Sequence, residues 1–217
     1  MLERFIQDMR TEDPGAEEPA DTRARLKSRF PAGAARRMTQ LGMLVGATLA
    51  DLQPGEDDAL VYAATFGEGR TLESYLDSFP EASPTLFQTS VHPSGVQQAL
   101  IARQQSVREV FPLAGDGQMV VQALLTAMLA PAPRVLLAGG EERGTWLVEA
   151  EAASDRTFAF ALALTREAGP GPMGRLALIP ADGTGALSSS AWFELLHHRR
   201  PFDGPAASGW KLRLNWS

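Results

Sequence analysis

Residues 111–129 read FPLAGDGQMVVQALLTAML, and the fold turns on what that stretch makes. Val107, Val110 and Phe111, residues that favour strands, lead into a tight Gly115-Asp116-Gly117. Behind the turn, Val120, Val121, Leu124, Leu125, Met128 and Leu129 spread apolar side chains over a wide helical arc, which predicts a buried helix over 117–129. Strand, sharp turn and buried helix are the parts of a nucleophile elbow, where a Ser or Cys is held up on a strained turn. Here the turn carries glycine, aspartate and glycine instead.

The neighbouring segments alternate between the two periodicities. Upstream, DALVYAATF (58–66) reads as a buried strand, and Leu72, Tyr75, Leu76 and Phe79 share one helical face in RTLESYLDSF. Ser83 followed by Pro84 is a helix start signal, a second short helix runs from Ser94 to about Arg103, and SVREVFP (106–112) is strand-like. Earlier still, Met38, Leu41, Val45, Leu49 and Leu52 have helical spacing, with Gly42, Gly46, Ala47 and Ala50 keeping one face thin enough for close packing. Downstream, strands are expected at 134–140, 156–167, 174–181 and 210–216, and a helix at 188–200 capped by Ser188 or Ser190. Alternating strands and helices imply a layered α/β fold with a mixed, largely parallel central sheet flanked by helices. Residues 1–30, rich in charge, Pro and Ala, are expected as a mobile or irregular arm ahead of a domain spanning 31–217. No internal repeat is read.

Composition narrows the function classes. The 217 residues contain no cysteine, which removes disulfides, thiolate metal sites and a cysteine nucleophile. A net charge of −6 argues against general nucleic-acid binding. No run of eighteen apolar residues suggests a membrane span, and the N-terminus lacks the apolar region of a signal peptide, so a cytoplasmic protein is expected.

Few residues could carry chemistry. Asp116 could serve as a carboxylate nucleophile or base if desolvated, or simply bond its own backbone or cap the following helix. His92, in TSVHPSG, could be a base or a loop histidine tied to backbone. His197 and His198 are adjacent rather than four apart, which suits no metal pair. The pairs Arg36–Arg37 and Arg199–Arg200 could receive a phosphate or an acidic partner, or be solvated helix ends. No metal site and no cofactor are expected.

SPTLFQTSVHPSGVQQALIAR (83–103), RRMTQLGMLVGATLAD (36–51), VYAATFGEGRTLESYLDSF (61–79) and PLAGDGQMVVQALLTAMLAPAPRVLLAGGEE (112–142) together resemble the short β-ketoacyl-synthase-like N-terminal-domain family. TFAFALALT (157–165) and the Trp-containing tail also fit, so the resemblance runs over roughly residues 31–216 and is strongest between 61 and 142. It implies a thiolase-like layered half-fold. In full ketosynthases the elbow holds a Cys, and two histidines from a second half assist; here the Cys position falls on Gly115, within one residue, and no segment matches those histidines. Pro93 replaces the Asn that follows the family's loop histidine, matched here by His92.

The resemblance therefore implies a non-catalytic, chain-length-factor-like subunit with a degenerate elbow at Gly115, Asp116 and Gly117. Such a subunit would pair with a Cys-bearing, full-length ketosynthase in aryl polyene-like polyketide or fatty-acid-type biosynthesis. Thiolase-fold dimers form across an edge strand of this half. Phe87, Ser90, His92, Val96, Arg36 and Arg37 are the expected interface or binding residues. The alternatives are a homodimer that binds acyl carrier protein, or a weak thioester decarboxylase or hydrolase using Asp116 and His92.

Overall fold

A computed structural model describes residues 1–115 and 117–217. The chain opens with β1 (Leu2–Glu12), α1 (Pro19–Leu26), a 3-10 turn at Lys27–Arg29, α2 (Ala32–Ala35) and α3 (Gln40–Asp51). Next come β2 (Ala59–Ala64), α4 (Gly69–Leu76), α5 (Pro84–Ser90) and α6 (Ser94–Arg103). The elbow segment supplies β3 (Glu109–Ala114) and α7 (Met119–Leu129), followed by β4 (Arg134–Glu141) and the short α8 (Trp146–Glu149). The chain then adds β5 (Phe158–Thr165), β6 (Gly174–Pro180), α9 (Ser189–His197), β7 (Phe202–Ala207) and β8 (Trp210–Trp216).

Eight strands form one mixed sheet in the order β3-β2-β4-β5-β1-β6-β8-β7. The layered α/β class holds, but the parallel pairings are confined to β3–β2 and β2–β4, and the other five are antiparallel. The expectation of a largely parallel sheet is corrected accordingly. The connections from β5 to β6 and from β7 to β8 are too short to hold a parallel crossover.

Residues 1–30, expected as an arm outside the fold, instead contribute β1 to the interior of the sheet, paired with β5 on one side and β6 on the other. A register shift between Ile6 and Asp8 moves the buried set from Arg4 and Ile6 to Met9, so the alternation that marks a strand is broken midway. α1 then packs against α3, where Gln40 donates to the Thr22 hydroxyl at 2.8 Å.

Two apolar layers cover the sheet. Ala59, Val61 and Ala63 of β2 face one layer, with α7 and α9. Leu60 and Tyr62 face the other, with α1, α3 and α6. The thin face of α3 does what its small residues suggest: a Cβ on Gly42 would lie 3.1 Å from the Gly95 Cα of α6, so the two helices nearly touch backbone to backbone. Thr39 caps α3 by accepting from the Gly42 N–H at 2.9 Å. Ser83 caps α5 in the same way, and of the two serines the sequence offers for α9 it is Ser188 that caps it. Among the described residues no helix is long and apolar enough to cross a membrane.

Candidate functional site

β3 leads directly into the elbow. It pairs in parallel with β2, and the Gly115 N–H at its end donates to the Ala64 carbonyl at 3.4 Å. α7 starts four residues later, at Met119, without a side-chain cap. Asp116, proposed from sequence as nucleophile, base or cap, lies outside the described residues. The backbone thus has the strand–turn–helix order of an elbow, and the flanking Gly115 and Gly117 bring no functional side chain to it.

A cavity of about 370 Å³ opens beside the turn, lined in part by Thr65, Phe66, Met119, Glu141, Leu187 and Ser189. The Thr65 and Ser189 hydroxyls are 2.6 Å apart and close its polar side. A second, far smaller space of about 10 Å³ lies behind Met119, lined in part by Phe160 and Trp192.

The end of β4 places two glutamates beneath the loop that follows β2. Glu141 accepts from the backbone N–H groups of Thr65 (2.6 Å), Phe66 (2.9 Å) and Gly67 (2.9 Å). Glu142 accepts from the Thr71 N–H and hydroxyl at 3.0 and 3.1 Å. Burial raises both carboxyl pKa values, and these hydrogen bonds to the ionised form oppose the rise. Glu73 reaches the other way, accepting from Thr145 and Leu147. Glu68, which accepts from the Gly95 N–H at 3.2 Å, is pushed up to about 8 by burial and by the nearby Glu142 charge.

These carboxylates position loops. They were not apparent as a group from the sequence, because a Glu at a strand end or in a turn normally reads as solvated. The only signal is that Glu141 and Glu142 directly follow the apolar run LLAGG. Among the described residues no group of His, Cys, Asp and Glu has the arrangement to hold a metal ion.

His92 meets β2 through Tyr62, on the α3 and α6 side of the sheet, whereas the cavity residue Met119 belongs to the opposite layer. Its ring stacks on Tyr62, centroids 4.6 Å apart and planes 9° apart. Both ring nitrogens are buried without a hydrogen-bond partner among the described residues. Burial lowers its pKa; the Tyr62 backbone lies near enough to offset part of that without reaching hydrogen-bond geometry. His92 is therefore a packing residue here and presents no nitrogen to the elbow.

The remaining expected residues scatter. Phe87 is exposed on α5, next to Tyr75, whose ring centroid is 5.4 Å from those of both Phe87 and Phe79. Ser90 donates to the Phe87 carbonyl at 2.9 Å within its own helix turn. Val96 is fully buried in the α3–α6 layer, which corrects its place as a surface residue: the close approach of Gly42 and Gly95 seals it in. Arg36 and Arg37 are exposed beyond α2 on the side of α6, whereas Arg199 and Arg200 follow α9 on the other side of the sheet, so the two pairs form no common basic patch. His197 bonds Thr11 at 3.0 Å and His198 pairs with Glu194 at 3.2 Å, both structural contacts.

Known proteins place this geometry. The profile of the β-ketoacyl synthase N-terminal domain matches residues 10–191. One chain of the complex of the ketosynthase ApeO with its chain length factor ApeC, from Xenorhabdus doucetiae, superposes with a TM-score of 0.70 at 20% identity, covering 99% of this chain and 100% of that one. The ishigamide ketosynthase/chain length factor gives a TM-score of 0.58 at 13% identity, covering 83% of this chain and 68% of the other. A β-ketoacyl synthase from Burkholderia phymatum STM815 gives 0.57 at 12% identity, covering 84% and 65%. No curated protein matches the sequence. At these identities the solved structures establish the thiolase-like ketosynthase fold, and the profile covers most of the residues that build it. The chain belongs to the β-ketoacyl synthase N-terminal-domain family.

Proposed function

We propose that this chain is a chain-length-factor-like subunit that pairs with a Cys-bearing β-ketoacyl synthase in polyketide or fatty-acid-type biosynthesis of the aryl polyene kind. The observation that carries the reading is the elbow: β3 and α7 flank the turn where the resemblance puts the family's nucleophile, at Gly115 or within one residue of it, and the chain contains no cysteine at all. Carbon–carbon bond formation by a ketosynthase needs an acyl group held on a thiol, and this chain has no thiol to offer. The full-length superposition on one chain of a ketosynthase–chain length factor complex supports the same reading. Acyl carrier protein would then meet the pair rather than this subunit alone, since the two arginine pairs lie on different sides of the sheet.

The test is co-expression with a Cys-bearing ketosynthase from the same organism, followed by size-exclusion chromatography and a carrier-protein condensation assay. A stable one-to-one complex is expected, with condensation abolished by replacing the partner's nucleophile and not by any change at Gly115. A chain that never associates with that ketosynthase, or that condenses acyl thioesters by itself, overturns the proposal.

A further inference from the structure

The two ends of the sheet differ in how ready they are to accept another strand. β7, at one end, carries Gly204 and Pro205 and shifts register between Pro205 and Ala207, a break that discourages further pairing. β3, at the other end, runs six residues in unbroken register with β2, from Ala59↔Glu109 to Ala64↔Ala114. Among the described residues no strand pairs with its far side.

Which backbone groups point outward follows from alternation. The Gly115 N–H turns in to Ala64, so Glu109, Phe111 and Leu113 also direct their N–H and C=O groups to β2. Val110, Pro112 and Ala114 direct theirs away from the sheet. Arg108, just ahead of the strand, turns its N–H in to Asp58 at 2.8 Å, so the free edge begins at Val110. The edge thus offers carbonyls at 110, 112 and 114 but N–H groups only at 110 and 114, because Pro112 has none.

We infer that Pro112 is a partner-selecting residue: it makes the β3 edge accept a strand from a chain of different sequence in preference to a second copy of this one. This deepens the functional reading above and rests on it for the identity of the partner, the ketosynthase subunit. The argument is one of symmetry. A two-fold pairing of β3 with its own copy uses the same surface twice, so every defect in it counts twice. If Pro112 faces its counterpart, that pair has no donor at all. If it faces Val110 of the copy, one of the two bonds is missing, and the symmetry mate lacks the same bond. A strand without proline at the facing position loses only one donor in the whole ladder. Exposed Val110, on the same edge, remains able to pack against whichever strand arrives.

The experiment compares wild type with Pro112→Val and Pro112→Ala, two variants that leave the inward-bonding residues of β3 untouched. Sedimentation velocity over a concentration series reads self-association of each chain alone. Hydrogen exchange reads the Val110 and Ala114 amides, alone and with the ketosynthase. Both variants are expected to self-associate roughly tenfold more tightly than wild type, the worth of two restored backbone hydrogen bonds, with those amides protected in the new dimer. The same two amides of wild type are expected to be protected in the ketosynthase complex, and Val110→Pro to weaken that complex. Unchanged self-association in both variants overturns the inference. So does a ketosynthase complex in which Val110 and Ala114 exchange as in the free chain, an outcome that leaves the functional proposal standing. If no complex forms, the functional proposal fails, and the claim that the β3 edge receives the ketosynthase's strand falls with it.

Discussion

Arg4, near the start of β1, donates to the Ala130 carbonyl at the end of α7 at 2.7 Å, and its side chain is fully buried. It also reaches the carbonyls of Ala132 (3.4 Å) and Met128 (3.5 Å), and Arg166 shares the Ala130 carbonyl at 3.1 Å. Burial, with the Arg166 charge beside it, lowers the Arg4 pKa, yet a guanidinium stays charged at any ordinary pH. A cation at the negative end of a helix, bonded to carbonyls that have no helical partner, stabilises that end. Arg4→Met leaves the Ala130 carbonyl with Arg166 alone and removes the donor from those of Ala132 and Met128, and is expected to cost about 2–4 kcal/mol in urea unfolding. Arg4→Lys, which keeps the charge but not the fork, should fall between. A loss of under about 0.5 kcal/mol, the range of an ordinary surface change, contradicts this role.

Glu68 gives the fold a pH dependence whose sign can be worked out. Its carboxyl pKa in the folded protein is about 8, against 4.5 as the ordinary value. Between those two pH values the unfolded chain releases the proton while the folded chain retains it. The stability this carboxyl contributes is therefore fully present below about 4.5 and is lost as pH rises through 8. Glu68→Gln removes the titrating group and should flatten that part of the profile, leaving the variant more stable than wild type at about pH 9 and close to it at about pH 5. Chemical denaturation at the two pH values checks it; equal pH dependence in both proteins shows that another group carries the effect.

How far these features could be read in advance depended on what each residue had to hide. β2, β4, β5 and β6 bury apolar side chains with little interruption and were legible as strands. α5 and α9 announced their starts through Ser83 and Ser188. β1 was not legible, because its buried positions include Arg4 and its bulge after Ile6 reverses the alternation. β7, with Asp203, Gly204 and Pro205, carries turn residues in an edge strand. At the site, the elbow was visible as a break between a β-like and a helical pattern, and the family resemblance ran through it as one of several matching stretches. The buried glutamates were not visible: burial of Glu68, Glu141 and Glu142 is set by the loops folded over them, which is a tertiary fact.

Gly139 shows a constraint that looked like a strand ending and is a packing limit. A Cβ there would run into the Ala63 carbonyl and lie 2.7 Å from the Phe160 ring. β4 is held between β2 and β5, so neither backbone can retreat without breaking a ladder. Gly139→Ala is expected to destabilise the protein by about 3 kcal/mol, at the upper end of overpacking effects, and to give mostly insoluble protein if the margin is small. Wild-type-like melting of this variant would show that the sheet opens locally at the end of β4.

A thiol placed at Gly115 is expected not to confer condensing activity. In Gly115→Cys the new residue has to adopt φ near +154°, a conformation that disfavours side chains, at a cost of about 1 kcal/mol or more. The thiol would follow β3 directly, four residues ahead of the first residue of α7 rather than on the helix itself. Glu141 and Glu151, which line the adjoining cavity, disfavour a thiolate wherever they are ionised. His92, stacked on Tyr62 with both nitrogens buried, is in no position to take the proton. The readout is the rate at which iodoacetamide alkylates the introduced thiol, followed against pH. That rate should rise with a midpoint at or above that of a free thiol, about 8.5, and no acyl group should transfer to the thiol from a carrier-protein thioester. A midpoint below about pH 7, in the range of activated cysteines, or any condensation by the variant alone, shows that the turn retains the electrostatics of an active elbow and that only its nucleophile has been replaced.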